Sequence, residues 1–173
     1  MMRLTKKEFF SMKQDQKGLT LIESMMVVAL IGILATIAIP PAFRLYEDSQ
    51  ARAQVTEALD LLGRVKSPVA AFYSDKGRWP TSEEFDNLVP ARTGKYVASL
   101  TPESREKGFE VIAKFRNTGV SPALVTEGSG RTLVLATANG KEWFCNDNTD
   151  PVSGIPDLVP GNVLPQHRPS SCK

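Results

Sequence analysis

Donors for catalysis or metal binding are scarce in this sequence. Its 173 residues include one histidine, His167, and two cysteines, Cys145 and Cys172, with no C-x-x-C pair. A zinc site wants four ligands, so neither a metal nor a cofactor is expected. There is no G-x-S-x-G, no phosphate-binding glycine loop and no H-E-x-x-H, and His167 lies in a proline-rich tail without an evident acid partner. It reads as a surface residue, and the chain is not expected to be an enzyme. The stretch "NDNTD" has the oxygen donors of a calcium loop, but Pro151 stands where glycine is wanted and no bidentate glutamate follows. An Asn/Asp turn is the better reading.

An electrostatic footprint for nucleic acid is missing too. The formal charge is +2, but residues 1–18 hold Arg3, Lys6, Lys7, Lys13 and Lys17 against Glu8 and Asp15, so that segment carries +3 and the remainder −1. Basicity belongs to the N-terminus, not to a phosphate-binding surface on the body. Length and composition, 42% hydrophobic and 23% charged, suit one domain with a real core.

What the chain does have is a long apolar run. Residues 19–39 carry one strongly polar member, Glu23, with Thr20, Ser24, Gly32 and Thr36 as minor interruptions. As a helix this run would cover about 30 Å, the thickness of a bilayer's hydrocarbon core. Basic residues just before it predict a cytoplasmic N-terminus and an outward-facing body after Pro40. A conventional secretory signal is disfavoured: its apolar region is roughly 7 to 15 residues and its small-residue junction follows that region, whereas Gly18 precedes the run here. An uncleaved signal anchor is the other alternative. If the C-terminal part is exported, an oxidising compartment makes a Cys145–Cys172 disulfide the default reading, whereas an all-cytoplasmic protein would favour two unrelated thiols. Closing that loop would stabilise the fold by about 3 to 4 kcal/mol in the chain-entropy model.

The segment "KGLTLIES" resembles the processing site of type IV pilins: a basic residue, Gly18, an apolar residue, then Thr20, Leu21, Ile22 and Glu23. "GILATIAIP" and the ending "SSCK" look like the same family, most like a type IVa major pilin. The resemblance implies that residues 1–18 are a leader, that a prepilin peptidase cuts between Gly18 and Leu19, and that Leu19 becomes N-methylated. Members most often have Phe at that first mature position, so Leu19 departs conservatively. An ionised Glu in the membrane is unfavourable unless it finds a partner. Leu19 and Glu23 are i and i+4, so their amino group and carboxylate can pair within one subunit. The family points instead to Glu23 pairing with a neighbouring subunit and setting register. Pro40 and Pro41 each remove a backbone donor, and Gly32 weakens the preceding turn, so a kink or local melting is expected. The resemblance implies that this stretch extends in the filament.

Past the prolines, Val55, Leu59, Leu62, Val65, Val69 and Phe72 recur at helical spacing, which predicts one helix over 19–73 with a bend near 64–68 caused by Pro68. Residues 19–45 then form the transmembrane and polymerisation part, and 46–173 a head: amphipathic helix 46–73, connecting loop 74–108, sheet 109–145 and disulfide loop 145–172. Within the connecting loop, a capping-box pattern at Thr81 and Glu84 predicts a short helix over 82–88. Strand candidates are 109–115, 123–126, 132–137 and 142–145, with "GSGR" as a turn and Asn139-Gly140 suited to a tight hairpin. The expected fold is α+β: a long helix packed on a small four-stranded antiparallel sheet, with a disulfide-bounded loop.

The resemblance implies identical subunits, the prepilin peptidase and the inner-membrane pilus assembly machinery as partners, with membrane lipid around the subunit before assembly. It places the subunit in the bacterial inner membrane first and in an extracellular pilus afterwards. Attachment to a host surface, twitching motility and DNA uptake are all family roles. Alternatives are a minor pilin, a secretion-system pseudopilin, or a membrane-anchored periplasmic domain that never polymerises.

Overall fold

The computed structural model describes residues 20–146, 155 and 158–172. The protein divides into two compact units whose boundary falls between Pro40 and Pro41. Helix α1, Leu21–Lys76, is assigned across both prolines and across Pro68. It ends where the sequence signals a stop: Gly77 takes φ +66° and its N–H donates to the Tyr73 carbonyl at 2.9 Å, a left-handed cap that glycine adopts without strain.

In the second unit α1 buries Ala51, Gln54, Val55, Ala58, Leu61, Leu62, Val65 and Val69. The expected stripe is therefore present but broader and smaller in its residues than predicted: Ala51, Ala58 and Leu61 join it, while Leu59 and Phe72 are only half-buried.

Helix α2, Ser82–Leu88, begins with the predicted capping box: Glu84 N–H donates to Thr81 Oγ1 and Thr81 N–H to Glu84 Oε2. Arg78 clamps the same carboxylate with two bonds of 2.7 and 2.6 Å. That guanidinium, helped by the Thr81 N–H, holds the Glu84 carboxyl down at about 2 against an ordinary 4.5. A folded pKa below the unfolded one contributes stability that is present above pH 4.5 and lost as pH falls through about 2. Glu84→Gln is thus expected to flatten the stability profile across that acid window, read from thermal midpoints; a profile parallel to wild type would show that the clamp adds nothing.

The sheet is four-stranded and antiparallel in the order β1-β2-β5-β6, from β1 Val97–Arg105, β2 Gly108–Phe115, β5 Thr132–Thr137 and β6 Phe144–Asn146. Four strands and their packing on the helix match expectation, but the membership needs correction. The sheet begins at Val97, inside the stretch 74–108 read as connecting loop. A bulge between Val97 and Ser99 breaks the alternation, so the buried side chains Val97 and Leu100 fall three apart and give no two-residue period. Pro102, which argues against a strand in sequence, is tolerated because β1 is an edge.

The candidate at 123–126 does not join the sheet. Pro122–Leu124 form a 3-10 turn, and β3 Val125–Thr126 pairs with β4 Ser129–Gly130 as a separate ribbon. Its two-residue turn uses Glu127 and Gly128, at φ 51° and 75°. Gly130 is required there, since a Cβ would collide with the Phe115 carbonyl.

Side chains of one sheet face, Leu100, Phe109, Val111, Ala113, Phe115, Leu133 and Leu135, form a single core with the α1 stripe. Trp79 closes one end, stacked on Tyr73 with ring centroids 3.9 Å apart and on Phe109 at 5.6 Å. An open pocket of about 300 Å³ lies beside it, and three of its polar side chains are committed elsewhere: Arg78 to Glu84, Ser104 to the Pro80 carbonyl, Arg105 to Glu110.

Candidate assembly segment and disulfide-bounded tail

At the start of α1, Thr20 supplies a cap. Its Oγ1 accepts from the Glu23 N–H at 3.4 Å and its carbonyl from the Ser24 N–H at 3.1 Å. Glu23 therefore occupies the first helical turn, where unsatisfied N–H groups favour a negative charge. This local stabilisation was legible in the T-x-x-E spacing, although those residues were read from sequence only as a motif. Among the described residues Glu23 makes no ion pair. Gly18 and Leu19, the expected cleavage site and methylated residue, lie outside the described residues.

The apolar side chains that follow are bare. Leu21, Ile22, Met25, Met26, Val28, Leu30, Ile31, Ile33, Leu34 and Ile37 are each at least 59% exposed. Single exposed apolar residues are ordinary, but a run of this extent marks a surface that another apolar phase or protein covers. A Cβ on Gly32 would meet nothing within 4 Å, so packing inside the subunit does not require glycine there. Among the described residues, no helix is long and apolar enough to cross a membrane. Side chains of residues 38–42 are outside the description, and the expected roles of Pro40 and Pro41 rest on the sequence.

Near the C-terminus, Cys145 of β6 and Cys172 of the 3-10 turn Ser170–Cys172 form the expected disulfide, with Cα atoms 5.3 Å apart. The segment before Cys172 is held by more than this bridge. Asn162 Oδ1 accepts from the Thr132 N–H at 2.6 Å, and the Asn162 and Val163 N–H groups donate to the Thr132 carbonyl. Arg131 Nη1 donates to the Asn162 carbonyl at 2.7 Å, and Arg52 Nε of α1 to the Gln166 carbonyl at 2.9 Å.

The least expected member is Glu110. It is fully buried on the sheet face opposite the core, where Arg105 Nη2 and Nε donate to Oε1 at 2.6 and 3.1 Å and the Val159 N–H donates to Oε2 at 3.2 Å. The one charge in the otherwise apolar first half of "FEVIAKF" was the available signal. His167 corrects the sequence reading outright: it is buried, 1% exposed, with Nδ1 3.7 Å from Asp48 Oδ1 of α1. The carboxylate nearest to it is distant in sequence, which is why the tail showed no acid neighbour. Next to it Arg168 is also buried, and desolvation pushes its pKa down.

Residues 51–173 match the family described as Pilin (bacterial filament), and residues 13–39 match the prokaryotic N-terminal methylation motif. The fimbrial protein EcpC of Eikenella corrodens is 41% identical over 142 residues, covering 80% of this chain and 88% of the relative. A type IV major pilin protein PilE1 of Neisseria gonorrhoeae is 35% identical over 166 residues, covering 91% and 94%. A fimbrial protein of Moraxella nonliquefaciens is 36% identical over 143 residues, covering 73% and 88%.

Proposed function

Because the chain belongs to the pilin family and is a structural subunit of a type IV pilus, we propose that its exposed apolar segment has two successive environments, first the inner membrane and then the filament core. In this reading the sequence run 19–39, taken as helix, spans about 30 Å of hydrocarbon, with the N-terminus in the cytoplasm and the head in the periplasm. The prepilin peptidase removes residues 1–18 and the amino group of Leu19 is methylated. Subunits then leave the lipid and bury their apolar segments against one another, as the assembly machinery adds them to an extracellular fibre. Glu23 aligns each subunit by pairing with the Leu19 amino group of a neighbour. Relatives named type IV major pilin proteins support the major-subunit role over a minor pilin or pseudopilin.

The observation that carries this reading is the bare apolar face from Leu21 to Ile37 following a carboxylate in the first turn, within a matched methylation motif. Intact-mass measurement on protein from sheared fibres tests it. A polypeptide beginning at N-methylated Leu19 is expected. Retention of residues 1–18 would overturn the processing site, and absence from the fibres would overturn the major-subunit role.

A further inference from the structure

The Asn139-Gly140 pair, expected in a tight hairpin, lies instead in the longer loop between Thr137 of β5 and Phe144 of β6. Asn-Gly is the dipeptide in which the following backbone nitrogen, unhindered by a side chain, most readily attacks the asparagine amide. The Asn139 side chain is exposed on the loop between β5 and β6, and its Oδ1 accepts from the Lys141 and Glu142 N–H groups, both at 2.9 Å. Two donors on one carbonyl oxygen draw charge from Cγ and would stabilise the oxyanion of an attack upon it. The nucleophile is restrained. Gly140 is buried, its N–H donates to Thr137 Oγ1 at 2.9 Å, and its Cα packs so that an added Cβ would lie 3.5 Å from Ala70 of α1. Thr137 itself is fully buried. Water or hydroxide must reach the Gly140 N–H before that nitrogen can attack.

We propose that Asn139 is a latent deamidation site, with an activated amide that the Thr137 hydroxyl and the packing of Gly140 on α1 keep from reacting. In the reaction the Gly140 N–H gives its proton to hydroxide, the deprotonated nitrogen bonds to Asn139 Cγ, and the Asn139 Cγ–Nδ2 bond breaks as Nδ2 takes a proton from water, releasing ammonia and leaving a succinimide. Water then opens the ring at either carbonyl, giving aspartate or isoaspartate and one added negative charge. The rate is set by local opening of the loop away from α1, so the modification records how often the head opens.

The test is peptide mapping of the purified full-length protein after incubation at mildly alkaline pH, with isoaspartate resolved, beside the tryptic peptide containing Asn139. Folded wild type is expected to react well below the rate of the free peptide. Thr137→Val, which keeps the shape and removes the acceptor, is expected to react about five- to tenfold faster than folded wild type, the effect of losing one ordinary hydrogen bond. Thr137→Ser, which restores a hydroxyl, is expected to return towards the wild-type rate, and thermal melts confirm that each variant is folded. Wild type reacting as fast as the peptide would overturn the proposal. So would equal rates in Thr137→Val and wild type, or in Thr137→Ser and Thr137→Val.

Discussion

A Glu23→Ala subunit is expected to lose its leader normally and yet to yield few or no fibres. In the proposed reading cleavage depends on residues around Gly18, whereas the carboxylate matters once apolar segments pack together and water leaves. There, a charge without a partner is strongly unfavourable, and a charge beside a neighbour's amino group becomes an attraction that exists at one axial offset only. Close charge pairs at interfaces couple by about 2 kcal/mol or more. Loss of about 2 kcal/mol corresponds to a thirtyfold weaker affinity for the growing end. Glu23→Gln separates charge from shape, and is expected to fail as Ala does. Sheared-fibre yield normalised to processed subunit in the membrane measures the effect, and wild-type yield from either variant would refute the registration role. The Thr20 cap adds a control: weakening the first turn with Thr20→Ala leaves the charge in place, so its effect on yield is expected to be the smaller.

Glu110→Ala is expected to destabilise the head by about 2 kcal/mol, because it removes a buried carboxylate that accepts charged hydrogen bonds from Arg105, itself only partly buried. The variant also takes away the acceptor for the Val159 N–H. Glu110→Gln keeps a carbonyl oxygen in nearly the same place while discarding the charge, and is expected to recover part of the loss. Denaturant unfolding of the disulfide-intact protein gives the energies. Amide exchange at Val159 shows whether the tail loosens, and is expected to accelerate in Glu110→Ala. If both variants fall within about 0.5 kcal/mol of wild type, as neutral surface changes do, Glu110 does not hold the tail.

How far the sequence revealed this molecule depends on the range over which each signal acts. Local signals were reliable. The capping box at Thr81 and Glu84, the stop at Gly77 and the strands around Phe109–Phe115 and Thr132–Thr137 depend on neighbouring residues or on a simple period. Strand β1 was missed because a bulge displaced its buried residues and an edge position excused its proline. The tail was misread for a different reason. Its proline-rich sequence has no period to detect, and its anchors, Glu110, Thr132, Arg52 and Asp48, lie on other elements. The apolar segment stood out in sequence because nothing among the described residues covers it: a patch that the fold leaves bare is written as a long hydrophobic run.

The anchoring of the tail also bears on the order in which the head is completed. Helix α1 and the sheet come from residues preceding 147, while the tail groups that reach Glu110, Thr132, Arg52 and Cys145 come from residues 158–172, Glu110 being bound by Arg105 as well. Contacts so remote in sequence close slowly. A head emerging N-terminus first thus assembles helix and strands while Glu110 still awaits the Val159 amide, and the Arg52 bond to the Gln166 carbonyl, 114 residues apart, is among the last to form. An unfinished head is therefore distinguishable from a finished one at its tail.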